Sequence, residues 1–129
     1  MSPVDTVRVA RVLVIDDEDI IGTILSIALP HHVVVAAEDG REGLMLAEAS
    51  APDVIVLDLM MPVLDGYEVL KRLRDELHVS APIVILTAVW SRDDHRVCID
   101  AGATQVITKP FDPGAVAAAI DELVVHATT

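Results

Sequence analysis

The segment "DVIVLDLMMPVLDG" (residues 53–66) runs from four consecutive aliphatic residues through a carboxylate, Asp58, to a proline and an Asp-Gly pair. Residues 54–57 are apolar at every position instead of alternating, which reads as a short strand covered on both faces, as in a parallel sheet between helical layers. Asp65 and Gly66 then turn the chain into a helix. Runs of the same kind recur on either side: "RVLVI" (11–15), "HVVVA" (32–36), "IVILT" (83–87) and "QVITK" (105–109). Strands are therefore expected at about 11–15, 32–36, 53–58, 83–87 and 105–109, each buried, with a helical stretch after each. This alternation predicts an α/β fold, a single (βα)5 doubly wound domain with a five-stranded parallel sheet and helices on both faces.

The helix starts carry their own signals. Asp39 and Asp65 are each followed three residues later by an acid, Glu42 and Glu68, and Ser91 is followed likewise by Asp94, a pattern resembling capping boxes. Asp112 and Pro113 supply a cap and a first-turn proline for a last helix with Val116, Ile120 and Val124 on one face. Prolines 30, 52 and 82 mark the approaches to strands two, three and four, and no repeat or linker interrupts the pattern.

The chain has 129 residues, the size of one domain, so residues 1–129 are read as one unit without an output domain. Apolar residues make up 53% and aromatics 2%, so the core is expected to be aliphatic. A formal net charge of −12 argues against nucleic-acid binding by this domain and favours cations and basic partner surfaces. No apolar run has the length of a membrane span or a signal peptide, so no membrane association and a cytoplasmic location are expected. Cys98, the single cysteine, reads as a small buried side chain.

Ligands of open parallel sheets bind outside the carboxyl ends of the strands. Here strand one ends in Asp16, Asp17 and Glu18, strand three in Asp58, strand four in Thr87 and strand five in Lys109. Carboxylates gathered 4 to 5 Å apart repel by about 3 to 4 kcal/mol per pair at an effective dielectric near 20. A cation is needed, and a hard one such as Mg²⁺ takes one or two carboxylates while keeping positions for water and phosphate oxygens. A carboxylate attacking phosphorus needs positioning and charge neutralisation, which a metal, a lysine and a hydroxyl supply.

The set "VIDDE" (14–18), "LDLMMPVLDG" (57–66), "ILTA" (85–88) and "TKPF" (108–111) resembles the response-regulator receiver domain of bacterial two-component systems across essentially the whole chain. The resemblance implies strand order 2-1-3-4-5 and a phosphoryl-accepting switch, a signalling protein that promotes its own phosphorylation and dephosphorylation. Asp58 would take a phosphoryl group from a histidine kinase or a histidine phosphotransfer protein in a Mg²⁺-dependent reaction. Asp17 would bind the metal directly and Asp16 directly or through water, with the Asp58 carboxylate and the Met60 carbonyl completing the protein's share. Thr87 would hydrogen-bond one phosphoryl oxygen and Lys109 would pair with another, followed by a bond to Pro110 that is usually cis. A downstream protein or a removed output domain would read the change.

Two features depart from that family pattern. Val106 stands where an aromatic residue is usual, and the last helix, "AVAAAIDELVV" (115–125), lacks the basic residues that many DNA-binding regulators use to dimerise. Trp90 is the nearest large side chain that could fill the space beside Val106. His31 and His32 read as loop histidines, and His78, His95 and His126 have no partners at metal-ligand spacing. The alternative of a flavodoxin-like nucleotide-binding module is opposed by the loop after strand one, "DDED" (16–19), which repels phosphate unless a metal intervenes.

Overall fold

The computed structural model describes residues 9–88 and 91–127, with side chains as far as 125. Expectations placed on Trp90, the N-terminal segment and the His126 side chain lie outside the described residues. Strands and helices alternate five times: β1 (Arg11–Ile15), α1 (Asp19–Ala28), β2 (Val33–Ala37), α2 (Gly40–Ser50), β3 (Val54–Leu57), α3 (Gly66–Asp75), β4 (Ile83–Thr87), α4 (Arg92–Asp100), β5 (Gln105–Thr108) and α5 (Pro113–Ala127). All strand pairs are parallel, in the order β2-β1-β3-β4-β5.

The period of two along each strand divides the core. Val12, Val14, Val54, Val56, Val84 and Leu86 face one side, where Ile21 and Leu25 of α1 and Val116, Ile120 and Val124 of α5 cover them. Leu13, Ile15, Ile55, Leu57, Ile83 and Ile85 face the other, beneath Ala47 of α2, Val69, Leu70 and Leu73 of α3, and Cys98 of α4. Each fully buried Val, Leu or Ile contributes about 1.5 to 3 kcal/mol relative to exposure. The helix starts match their sequence signals in part. Asp39 and Asp65 accept from the N–H groups of Glu42 and Glu68, and Ser91 from those of Asp93 and Asp94. The acids at the third helical positions reach other partners: Glu68 accepts from Arg72, and Glu42 accepts from the Glu38 N–H.

Burial of every strand does not hold. β1 is buried apart from Arg11 and β3 and β4 are buried throughout, whereas Val33 and Val35 of β2 are 51% and 38% exposed and β5 is at best half-buried. β2 and β5 are the two edges, and the helical layers lie over the centre of the sheet. Strand bounds shift accordingly. β2 starts one residue later than expected and extends to Ala37, β3 excludes Asp53 and Asp58, and β5 ends before Lys109, so both Asp58 and Lys109 lie just beyond their strands.

Candidate functional site

Backbone pairing brings the strand ends together. The Asp58 N–H donates to the Ile15 carbonyl (3.0 Å), extending the β1–β3 ladder one step and setting Asp58 beside Asp16. On the other side of β3, Thr87 is in register with Thr108, and the Lys109 N–H donates to the Thr87 carbonyl (2.7 Å). The Lys109–Pro110 peptide bond is cis. Gly66 is the second element of this construction. A Cβ there would lie 2.0 Å from the Asp58 carbonyl oxygen and 2.5 Å from the Leu59 Cα, so the first residue of α3 packs against the Asp58 backbone only because it has no side chain.

The result is one cluster. Carboxylate oxygens of Asp16, Asp17 and Asp58 lie within 4.8 Å of one another. Asp16 and Asp58 are 5% and 3% exposed and Thr87 is fully buried, and these are the only buried polar residues among those described. One oxygen of each buried acid accepts a backbone N–H, from Glu18 to Asp16 (2.9 Å) and from Met60 to Asp58 (3.1 Å). The other oxygens face Lys109, whose Nζ is 3.2 Å from Asp16 Oδ2 and 3.6 Å from Asp58 Oδ2, and which also donates to Glu18 Oε1 at 3.2 Å. Asp17 is exposed at the rim, and the Met60 side chain is turned out to solvent.

The electrostatics follow from burial. Desolvation raises the pKa of Asp58. The Met60 N–H and Lys109 work against it, and the neighbouring charges of Asp16 and Asp17 reinforce it. Asp16 is raised for the same first reason, against the Glu18 N–H and Lys109. Burial opposes the Lys109 ammonium, but Asp58, Asp16 and Glu18 together outweigh it and hold its pKa above the ordinary value. Four carboxylates, those of Asp16, Asp17, Asp58 and Glu18, meet one ammonium here, a formal surplus of three acidic groups. Closely set, oxygen-only donors with surplus negative charge fit a hard divalent cation.

Each residue assigned a role from sequence lies at this edge, and Asp16, Asp17, Asp58 and Lys109 form its polar cluster. Two roles were not anticipated. Glu18 shares Lys109, a role that its place at the end of strand one beside Asp16 and Asp17 does not by itself assign. His32 lies in the loop just before β2, as expected, but its ring is held on both sides. Its Nδ1 accepts from the Ala10 N–H (3.0 Å) and its Nε2 lies 2.7 Å from Asp121 of α5. Val106 is half-buried against the cluster that contains Cys98. Cys98 is buried, which pushes its thiol pKa up.

A doubly wound sheet of this order, with acids after its first and third strands and a lysine after its fifth, is of the two-component signalling class. The chain belongs to the response regulator receiver domain family, whose model matches residues 12–121. It is 44% identical over 105 residues to the alkaline phosphatase synthesis transcriptional regulatory protein PhoP of Bacillus subtilis, covering 80% of this chain and 43% of that protein. It is 43% identical over 105 residues to the DNA-binding dual master transcriptional regulator RpaA of Synechocystis, covering 79% and 44%. The chain thus spans less than half the length of these relatives. Among solved structures it resembles the Vibrio cholerae chemotaxis protein CheY4, with a TM-score of 0.82 and 33% identity over 90% of this chain and 99% of that one. The receiver domain of the Francisella response regulator 1452 is similar, with a TM-score of 0.85 and 32% identity over 91% and 98%. No helix among the described residues is long and apolar enough to cross a membrane.

Proposed function

We propose that this domain is a phosphoryl-accepting switch in which Asp58 takes the phosphoryl group of a phosphohistidine on a histidine kinase or histidine phosphotransfer protein. The observation that carries the reading is a buried carboxylate just past a strand end, with two further acids within 4.8 Å and an ammonium at 3.6 Å. That is a costly grouping for a fold that does not use it. An Asp58 oxygen attacks phosphorus, the P–N bond breaks with its electron pair leaving on the donor imidazole, and an acyl phosphate remains. No general base is needed, because the ionised carboxylate has no proton to give up.

The chain's residues divide the remaining work. The Met60 N–H orients one Asp58 oxygen, Lys109 compensates charge on the transferred group, and the Thr87 hydroxyl donates to a second phosphoryl oxygen. Asp17, Asp16, the Asp58 carboxylate and the Met60 carbonyl would hold Mg²⁺. Bound there, the ion supplies charge neutralisation and a template for phosphoryl oxygens. Recruitment of Thr87 and Lys109 to the phosphoryl group displaces the ends of β4 and β5, and that displacement is what a partner reads. By likeness to the longer regulators, the reader is an output domain or a separate downstream protein in the cytoplasm.

Incubation with phosphoramidate, with and without Mg²⁺, tests the reaction. Wild type is expected to gain a hydroxylamine-labile phosphoryl group only with Mg²⁺, and Asp58→Asn to gain none. Equal labelling of the two proteins contradicts the proposal.

A further inference from the structure

The Lys109 ammonium has three carboxylates around it. Asp16 and Asp58 are buried, but the Glu18 side chain is 59% exposed and has no part in the phosphoryl chemistry proposed above. Glu18 occupies the N-cap of α1, where a side chain commonly accepts from the first free N–H groups of the helix. Here it makes no capping bond and reaches Lys109 instead. Lys109 sits closer to this outer acid, at 3.2 Å, than to Asp58, at 3.6 Å.

On the reading of Asp58 as phosphoacceptor, on which this rests, we propose that Glu18 is a positioning residue. It holds Lys109 away from Asp58 in the resting state and gives it up to a phosphoryl oxygen when Asp58 is modified. One ammonium serves two competing anions, so the strength of the Glu18 pair sets how readily the phosphorylated arrangement forms. The pair suits such an exchange. Its outer partner is largely solvated, so it is worth little and breaks easily, while Asp16 keeps hold of the ammonium from the buried side. Glu18 also places negative charge near the arriving phosphoryl group.

Neutralising Glu18 frees Lys109 and should tighten binding of a phosphoryl mimic by about two- to fivefold, the ordinary worth of an exposed pair. Because exposed pairs are screened, the gain should shrink as salt is raised. A role confined to the start of α1 would not produce that salt dependence.

The test is the affinity for beryllofluoride with saturating Mg²⁺, measured at low and high salt for wild type, Glu18→Gln and Asp19→Asn. Asp19 is the neighbouring acid in the first turn of α1 and tests the general field of the helix start. The expected result is tighter binding by Glu18→Gln at low salt, convergence with wild type at high salt, and little change for Asp19→Asn. Unchanged affinity in Glu18→Gln, or an equal gain in Asp19→Asn, overturns the role of Glu18 and leaves Asp58 as phosphoacceptor intact. Failure of wild type to bind beryllofluoride overturns both.

Discussion

Gly66 and Asp17 show how single positions hold the candidate site together by opposite means, one through the absence of a side chain and one through charge. Gly66→Ala would put a Cβ 2.0 Å from the Asp58 carbonyl, against backbone that cannot move without shifting the acid. A loss of about 2 kcal/mol or more in urea unfolding is expected, with weakened Mg²⁺ binding in the fraction that folds. Asp17 is exposed and makes no large contribution to packing, so Asp17→Ala should fold normally and lose about tenfold or more in Mg²⁺ affinity by titration calorimetry. Asp75→Ala, at an exposed acid at the end of α3, should leave that affinity unchanged. Equal affinities in the two variants would remove Asp17 from the metal shell. At this scale the sequence was informative where chemistry coincided with a strand end, as at Asp16, Asp58, Thr87 and Lys109. It placed Glu18 and His32 but not their partners, because those lie 91 and 89 residues away and the contacts depend on how far each side chain reaches.

At the scale of elements, the loop from β3 to α3 and the entry to β2 each contain a feature the strand pattern did not reveal. In the loop, the Leu64 N–H donates to the Pro62 carbonyl (2.8 Å) around Val63, whose φ of 69° puts a β-branched residue in the left-handed region. Val63 is 93% exposed, so its side chain offsets little of that strain. Val63→Gly is expected to raise stability by about 0.5 to 1 kcal/mol, seen as a higher urea midpoint with an unchanged slope. At the entry to β2, His32→Ala removes the acceptor for the Ala10 N–H, and Ala10 is fully buried. The expected cost is about 1 to 3 kcal/mol. Strand existence was legible from the aliphatic runs, but uniform burial was not. The same Val-rich composition serves an edge at β2 and the centre at β3, and only the strand order tells them apart.

Across the whole molecule, parallel topology and the two-layered core were legible because five non-alternating strands separated by helices admit few arrangements. The surplus of acid was legible as well, and part of it is concentrated where it costs stability. The raised pKa of Asp58 means that its stabilising contribution is fully present below the ordinary value of 3.8 and is lost as pH rises through the raised value. Asparagine mimics the protonated form. Without divalent cation, Asp58→Asn should therefore match wild type in acid and become the more stable protein as pH rises through that window, by on the order of 1 kcal/mol at neutral pH. Lys109, also raised, contributes below its ordinary 10.5 and loses that contribution in strong alkali, outside this window. Saturating Mg²⁺ should narrow the gap by stabilising wild type selectively. Unfolding curves across pH, with chelator and with Mg²⁺, decide the point, and a wild type more stable than Asp58→Asn at neutral pH in chelator would contradict it.

The most direct test of the central claim is to find the covalent bond itself. Protein treated with phosphoramidate and Mg²⁺ can be reduced with borohydride, which converts an aspartyl phosphate to homoserine, and then mapped by peptide mass spectrometry. The account predicts homoserine at position 58 and no other aspartate, including the neighbouring Asp16 and Asp17. Reduction at either neighbour, or a phosphoryl group carried elsewhere while Asp58 stays unmodified, would contradict it.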